Sequence, residues 1–108
     1  MAVAKQACEY LEEHNLLYTM EDEVGEPDLE RAINQLQELY QKGYIGEPCY
    51  TFAESYDQNG TPVWRCECHI SGKETYRWGE YPSKKRGKKA VAYDMLCEIL
   101  GWEDDDET

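Results

Sequence analysis

The sequence predicts an α+β fold in which a helix, three antiparallel strands and a second helix follow one another, with a further helix in front. Three observations predict this order. Apolar residues recur at helical spacing in residues 28–43 and 83–101. Between these segments, apolar and polar residues alternate in three short runs, and turn residues separate the runs. This order is typical of a three-stranded antiparallel sheet packed on two helices.

The first 27 residues are predicted to form an appendage to the main domain. Residues 2–18 fit an amphipathic helix, one face of which carries Ala4, Ala7, Cys8, Leu11 and Tyr18. Acids, a glycine and a proline then predict a linker over residues 21–27. We therefore divide the chain into a helix with an acidic linker (1–27), a main domain (28–102) and an acidic tail (103–108).

The two helices of the main domain have start and stop signals. Asp28 suits the N-cap of the first helix, and Gly43 stands where a glycine commonly ends one. Ser83 suits the N-cap of the last helix, and Gly101 is expected to end it. The apolar stripe of the first helix comprises Leu29, Ala32, Ile33, Leu36, Leu39 and Tyr40. That of the last helix comprises Val91, Met95, Leu96 and Ile99.

The three strands are predicted over residues 50–56, 63–70 and 74–81. The central run alternates clearly, and the residues expected to face the core are Trp64, Cys66, Cys68 and Ile70. A Gln-Asn-Gly turn at 58–60 is expected to join the first two strands, because Asn-Gly is a strong signal for a tight hairpin.

The charge of the 108-residue chain is strongly uneven. Its net charge is −12, but residues 1–27 hold seven acids and one base, and the tail holds five acids and no base. The middle is nearly neutral and contains a dense basic cluster at residues 84–89. No run of about 18 apolar residues suggests a membrane span, and no signal peptide is recognised. Five cysteines without a secretion signal predict reduced thiols and a cytoplasmic location.

Candidate catalytic and metal-binding residues are weak. Cys66 and Cys68 lack the spacing of a zinc knuckle and are expected to pack in the core as small apolar residues. The only histidines, His14 and His69, have no neighbouring nucleophile in the sequence, and the carboxylates occur in runs typical of solvated surfaces. We expect no catalysis, no metal and no cofactor.

The basic cluster is the most informative feature for function. Ser83 opens the last helix, and Lys84, Lys85 and Lys88 project from its first turns. Lysine at a helix N-terminus opposes the helix dipole, whereas the free N–H groups there attract phosphate. A solubilising lysine face is the alternative, but this placement favours an anionic partner.

Several motifs of the main domain resemble the double-stranded RNA-binding domain family over about residues 28–101. The best match is the run from Ser83 to Ala92, SKKRGKKAVA, which resembles the family's SKKxAKxxAA with Gly87 in place of the usual alanine. Further matches are the helix pattern LQEL with QKG, the entry Pro48-Cys49-Tyr50 to the first strand, the alternating second strand, and Gly79. Residues 57–63 depart from the family's GPxH loop, since they contain no histidine and add Asp57.

This resemblance implies non-catalytic binding of double-stranded RNA by shape, with little sequence specificity. In that family the lysines of the last helix contact phosphates across the major groove, and the first helix and the loop between the first two strands enter successive minor grooves. Carried over, the contact residues are Ser83, Lys84, Lys85 and Lys88 on the last helix, and Asn34, Gln37 and Glu38 on the first. The alternative is a domain of this fold that has lost RNA binding and mediates protein–protein contact or self-association, for example through the N-terminal helix.

Overall fold

The computed structural model describes residues 19–102 and confirms the α+β architecture. Its elements are α1 (residues 19–24), α2 (Ala32–Gln41), β1 (Pro48–Tyr56), β2 (Pro62–Ile70), β3 (Tyr76–Tyr81) and α3 (Lys84–Ile99). The strands form one antiparallel sheet in the order β1-β2-β3. The helix predicted over residues 2–18 and the acidic tail at 103–108 lie outside the described residues. Within residues 19–102, no helix has the length and apolarity that crossing a membrane requires.

The core lies between the helices and one face of the sheet. The alternation of β2 places Cys66, Cys68 and Ile70 on that face with no exposed surface, as predicted. Against them pack the apolar stripes of the two helices, which include Leu36, Leu39, Val91, Met95 and Leu96. Tyr76 and Trp78 of β3 lie on the opposite, outer face, where the Arg65 guanidinium stands 4.0 Å from the centroid of the Trp78 ring.

The last helix begins and ends where the sequence predicts. The Ser83 hydroxyl accepts a hydrogen bond from the Arg86 N–H at 3.2 Å, which satisfies one of the donors that a helix N-terminus leaves open. At the other end Gly101 adopts φ +76°, and the Trp102 N–H donates to the Cys97 carbonyl at 2.7 Å. This closure of the final turn is the Schellman arrangement that a C-terminal glycine permits.

The first domain helix begins later than predicted. Asp28 does not cap it, because α2 starts at Ala32 after a turn, with Arg31 at the N-cap. The Asp28 carboxylate instead accepts from the Glu30 N–H at 2.8 Å, a local turn that competes with capping. Leu29, predicted in the apolar stripe, consequently lies outside the helix and is 47% exposed.

The linker predicted over residues 21–27 was wrong for residues 21–24, which are helical and belong to α1. Met20 and Val24, one turn apart, are both buried in the core of the domain. A buried amide on α2 fixes this segment: Gln35 Nε2 donates to the carbonyls of Val24 and Glu26, each at 2.8 Å, and its Oε1 accepts from the Asp28 N–H at 3.1 Å. The residues before Asp28 are therefore part of the packed domain at least from Met20.

A glycine sets the distance between α3 and the sheet. Gly87 is buried, and a Cβ placed there would overlap the Cys66 sulfur and stand 3.0 Å from Cys66 Cβ and from Tyr81 Cδ2. The Cys66 side chain and the Tyr81 ring thus fill the space that an alanine methyl would take. This arrangement explains the departure from alanine seen in the sequence.

Candidate nucleic-acid interface

Two lysines of α3 rest on aromatic rings of the sheet. Lys84 Nζ lies 4.5 Å from the centroid of the Trp64 ring and 5.8 Å from that of Phe52. Lys88 Nζ lies 4.8 Å from the centroid of the Tyr50 ring. All these distances fall within the range in which a cation is attracted to the face of an aromatic ring.

The helical spacing explains why these lysines face the rings. Lys84 and Lys88 continue the stripe of α3 that carries Val91 and Met95 in the core, because positions three and four apart share one side of a helix. At the start of α3 this stripe reaches the edge of the core. There a lysine can cover half-buried rings with its aliphatic stem and keep its ammonium group in water.

The lysines of the predicted site form no ion pair with a carboxylate of the described residues. Within residues 19–102, the ion pairs involve Lys42, Arg77 and Lys89, and none involves Lys84, Lys85 or Lys88. The first turn of α3 also contains no acidic residue. Positive charge therefore accumulates where the helix N-terminus adds its own partial positive charge.

Lys89 differs from its neighbours because it is neutralised. Its ammonium group forms an ion pair with Glu30, in the turn before α2. Lys42, at the end of α2, is held in the same way by Glu23 of α1 and lies 3.7 Å from Glu38. The hydrogen bond that the Lys42 ammonium group donates to the Glu23 carboxylate raises the pKa of Lys42. Two cations near the predicted site are thus paired with acids from α1 and from the turn before α2.

The predicted contact residues of α2 share one surface of that helix. Asn34 and Gln37 are exposed, and Glu38 is half-buried beside them. The pair between Lys89 and Glu30 joins the start of the α2 region to the first turns of α3. Both predicted groups of contact residues therefore belong to helices that pack on the same face of the sheet.

The loop between β1 and β2 is short and internally bonded. The turn at 58–60 is confirmed, and Gly60 adopts φ +80° in it. The Asp57 N–H donates a hydrogen bond to the Thr61 carbonyl at 3.0 Å, which closes a three-residue hairpin loop. The Asp57 carboxylate accepts from the N–H groups of Asn59 and Thr61, each at 2.9 Å. Asp57 thus shapes its own loop.

The groups beneath the lysines are kept neutral. The buried Tyr50 hydroxyl faces the Cys68 thiol, and burial raises the pKa of both groups, that of Cys68 to about 12. Burial also raises the pKa of Cys66, although the positive charge of Lys84 opposes this shift. The expected core packing of both cysteines is confirmed, and among residues 19–102 no cluster of three His, Cys, Asp or Glu side chains is placed to hold a metal ion.

Sequence reasoning missed the aromatic partners of the lysines. Trp64 was predicted only as a core-facing residue of the second strand, and Tyr50 and Phe52 were predicted only as residues of the first strand. Their role depends on the crossing of α3 over β1 and β2, which no local pattern contains. The available signal was the lysine pair Lys84 and Lys88, four residues apart in line with an apolar stripe.

Comparisons with known proteins identify a family and two relatives. The family described as "Double-stranded RNA binding motif" matches residues 32–99. Ribonuclease 3 from Roseburia hominis is 41% identical over 100 residues, which cover 93% of this chain and 28% of that protein. Ribonuclease 3 from Treponema succinifaciens is 33% identical over 73 residues, which cover 68% of this chain and 18% of that protein. The chain thus spans less than a third of either relative, and it belongs to the double-stranded RNA-binding motif family and binds double-stranded RNA.

Proposed function

We propose that the start of α3 and the exposed side of α2 form the RNA-binding surface. Lys84, Lys85 and Lys88 contact the phosphates of a duplex across one groove, together with the helix N-terminus that Ser83 caps. The observation that carries this assignment is that these three lysines lack carboxylate partners within residues 19–102, whereas Lys89 beside them is paired.

The side chains of α2 supply the second contact in this proposal. Asn34, Gln37 and Glu38 offer hydrogen-bonding groups that suit the 2′-hydroxyls and base edges of an RNA minor groove. Contacts to phosphates and 2′-hydroxyls follow the shape of the duplex and depend little on its sequence. We therefore expect discrimination against DNA and little discrimination among RNA sequences.

We further propose that the chain binds RNA without cleaving it, in the cytoplasm. The named relatives are ribonucleases, and this chain matches only a minor part of each. The described residues group no metal ligands, and their buried thiols have raised pKa values, which disfavours a nucleophilic role. In a longer protein of the kind to which the relatives belong, this portion would hold the RNA.

The test is a binding titration with an RNA duplex of about 20 bp, since such domains span about 16 bp. A DNA duplex, single-stranded RNA and two salt concentrations complete the design. The triple change Lys84→Ala, Lys85→Ala and Lys88→Ala is expected to weaken binding roughly a hundredfold and to lower the salt slope by about 2.7, or 0.9 for each lost phosphate contact.

A control with the same charge change keeps this test specific. Arg65, Lys73 and Arg77 lie on β2, in the β2–β3 turn and on β3, and their triple change to alanine also removes three positive charges. We expect that variant to bind RNA within a few-fold of the unchanged chain. If both triple variants lost the same RNA affinity, the α3 lysines would contribute only through the net charge of the chain. If the unchanged chain did not bind the RNA duplex at low salt, the proposed function would be refuted.

A protein-binding role is the second candidate, and one observation favours it. Tyr76 and Trp78 are 52% and 49% exposed on the outer face of the sheet, beside Arg65. Exposed aromatic side chains are common at protein interfaces. Sedimentation of the chain, with Trp78→Ser for comparison, would detect self-association through this face, while the RNA titration remains independent of it.

A further inference from the structure

The rings of Tyr50, Phe52 and Trp64 form an aromatic shelf beneath the first turns of α3. The shelf is half-buried, so its edges are fixed by the core and its exposed faces meet the lysines. Lys84 stands over Trp64 and Phe52, and Lys88 stands over Tyr50.

A ring and a carboxylate restrain a lysine with different consequences for its charge. Glu30 restrains Lys89 and also cancels its charge, so a phosphate must displace the carboxylate. A ring attracts the ammonium group through its quadrupole and leaves the full positive charge in place. An ammonium group over a ring face can still donate hydrogen bonds on the side away from the ring.

Restraint before binding reduces the cost of binding. A lysine side chain has many rotamers in solution, and contact with phosphate removes part of that rotamer entropy. Lysines already ordered over rings lose less on binding, which is the general benefit of preorganisation.

We propose that the aromatic shelf positions Lys84 and Lys88 for phosphate, with Trp64 as its main positioning residue; this inference rests on the proposed RNA-binding surface. Trp64 receives the largest role because its ring is nearest to an ammonium group, at 4.5 Å from Lys84 Nζ. The shelf contributes through the lysines and need not touch RNA itself.

The test is the change Trp64→Leu, which keeps an apolar side chain and removes the ring. We expect RNA affinity to fall about two- to fivefold, the size of a cation–π contact at an exposed site. Trp64→Tyr, which keeps a ring, should recover most of the affinity. In a Lys84→Ala background, Trp64→Leu should have almost no further effect, because the lysine that the ring positions is absent.

A matched control lies on the other face of the sheet. Trp78 also carries a cation on its ring, since Arg65 stands 4.0 Å from its centroid. Trp78→Leu therefore removes a similar contact away from the proposed surface, and we expect no change in RNA affinity. Equal losses from Trp64→Leu and Trp78→Leu would overturn the positioning role.

A measurement without RNA separates this inference from the proposed function. In the free protein, the ring current of Trp64 should shift the ε-methylene proton signals of Lys84 upfield in the NMR spectrum, and Trp64→Leu should abolish the shift. Absence of the shift in the unchanged chain would overturn the inference even if RNA binds. An upfield shift without RNA binding would refute the proposed function while the shelf itself stands.

Discussion

Four lysines of this domain divide into two pairs that differ in what restrains them. Lys84 and Lys88 lie over aromatic rings, whereas Lys42 and Lys89 form ion pairs with Glu23 and Glu30. The positive charges of the ring-restrained pair remain available to a ligand, whereas those of the acid-restrained pair are neutralised by carboxylates of the protein itself. The difference teaches that a count of basic residues overstates the positive charge that a surface offers to an anionic ligand, because a cation already paired with a carboxylate contributes little to it.

The acid-restrained lysines fasten α1 and the turn after it to the domain. Glu23 lies in α1 and Glu30 precedes α2, so each ion pair ties this region to a helix of the core domain. Exposed ion pairs contribute little stability by themselves, commonly under about 1 kcal/mol. The stronger fastening is the buried Gln35 amide with its three hydrogen bonds.

The largest effect on stability is expected from Gln35→Leu, which removes the three hydrogen bonds of the Gln35 amide. The change leaves the Val24 and Glu26 carbonyls and the Asp28 N–H without their partner, which should lower the free energy of unfolding by about 2–4 kcal/mol. Urea denaturation followed by circular dichroism measures it. The RNA affinity of the folded protein should not fall, because the ring-restrained lysines are unaffected.

Gln41→Leu is the control for this change, since Gln41 is an exposed residue of the same helix. Its effect on stability should stay within about 0.5 kcal/mol. If Gln35→Leu lowered the free energy of RNA binding as much as the free energy of unfolding, the claim that the two pairs of lysines have separate roles would be wrong.

The second effect, from Gly87→Ala, acts on the ring-restrained pair. The added methyl overlaps the Cys66 sulfur and crowds the Tyr81 ring, which forces α3 away from β2. The strain should exceed the helix propensity that alanine gains, with a net loss of roughly 1–2 kcal/mol in the free energy of unfolding. RNA affinity should also fall, because the displaced helix takes Lys84 and Lys88 off their rings.

A compensating change identifies the cause of that loss. Cys66→Ala removes the sulfur that the new methyl would meet, so the double variant should be more stable than Gly87→Ala alone. Thermal denaturation of the single and double variants tests this. Additive losses would show that the contact between the two positions is not responsible.

The third effect concerns the neutral groups beneath the rings and appears at alkaline pH. Burial raises the pKa of Cys68 to about 12, above the roughly 8.5 of a thiol in the unfolded chain. As pH rises, the unfolded chain loses this proton first, so stability present in full below pH ~8.5 is lost as pH approaches the folded pKa. The slope is about 1.4 kcal/mol per pH unit.

Urea denaturation in reducing buffer at about pH 7, 9 and 10 measures this slope. Cys68→Ala should flatten it, although the raised pKa of Cys66 leaves part of the dependence. A slope unchanged by Cys68→Ala would place the titrating group elsewhere.

The smallest effect is expected from Glu30→Gln, which releases Lys89 from the acid-restrained pair. One further phosphate contact would raise the salt slope by at most about 0.9, and affinity should rise up to about threefold. Glu74→Gln makes the same change in net charge at an exposed residue without an ion pair among residues 19–102. If both variants bound RNA equally well, the pairing of Lys89 would have no bearing on affinity.

The elements that the sequence predicted correctly are those that depend on local patterns. Ser83 begins α3 and Gly101 ends it, as predicted, because a hydroxyl that caps a helix and a backbone that tolerates positive φ are properties of these residues themselves. The alternation of β2 predicted its buried face, and the Asn-Gly pair predicted the turn at 58–60. The structure also places Lys84, Lys85 and Lys88 in the first turns of α3, as predicted, and their contact with RNA stays a prediction.

What could not be predicted depends on contacts between distant segments. The acids of residues 21–24 suggested a linker, but Met20 and Val24 find a place in the core and Gln35 bonds to the backbone that follows. Asp28 had the chemistry of a cap, yet its N–H is engaged by the same amide. The partner of each lysine, a ring or an acid, likewise follows from tertiary packing.

The fit of Gly87 against Cys66 has a consequence for how such a chain can evolve. A mutation to alanine at 87 first introduces an overlap, and a smaller residue at 66 first leaves a void, so each single step passes through a less stable protein. Relatives that carry alanine at the first position should therefore differ at the second as well. The two positions, one on a helix and one on a strand, are expected to change as a linked pair during descent.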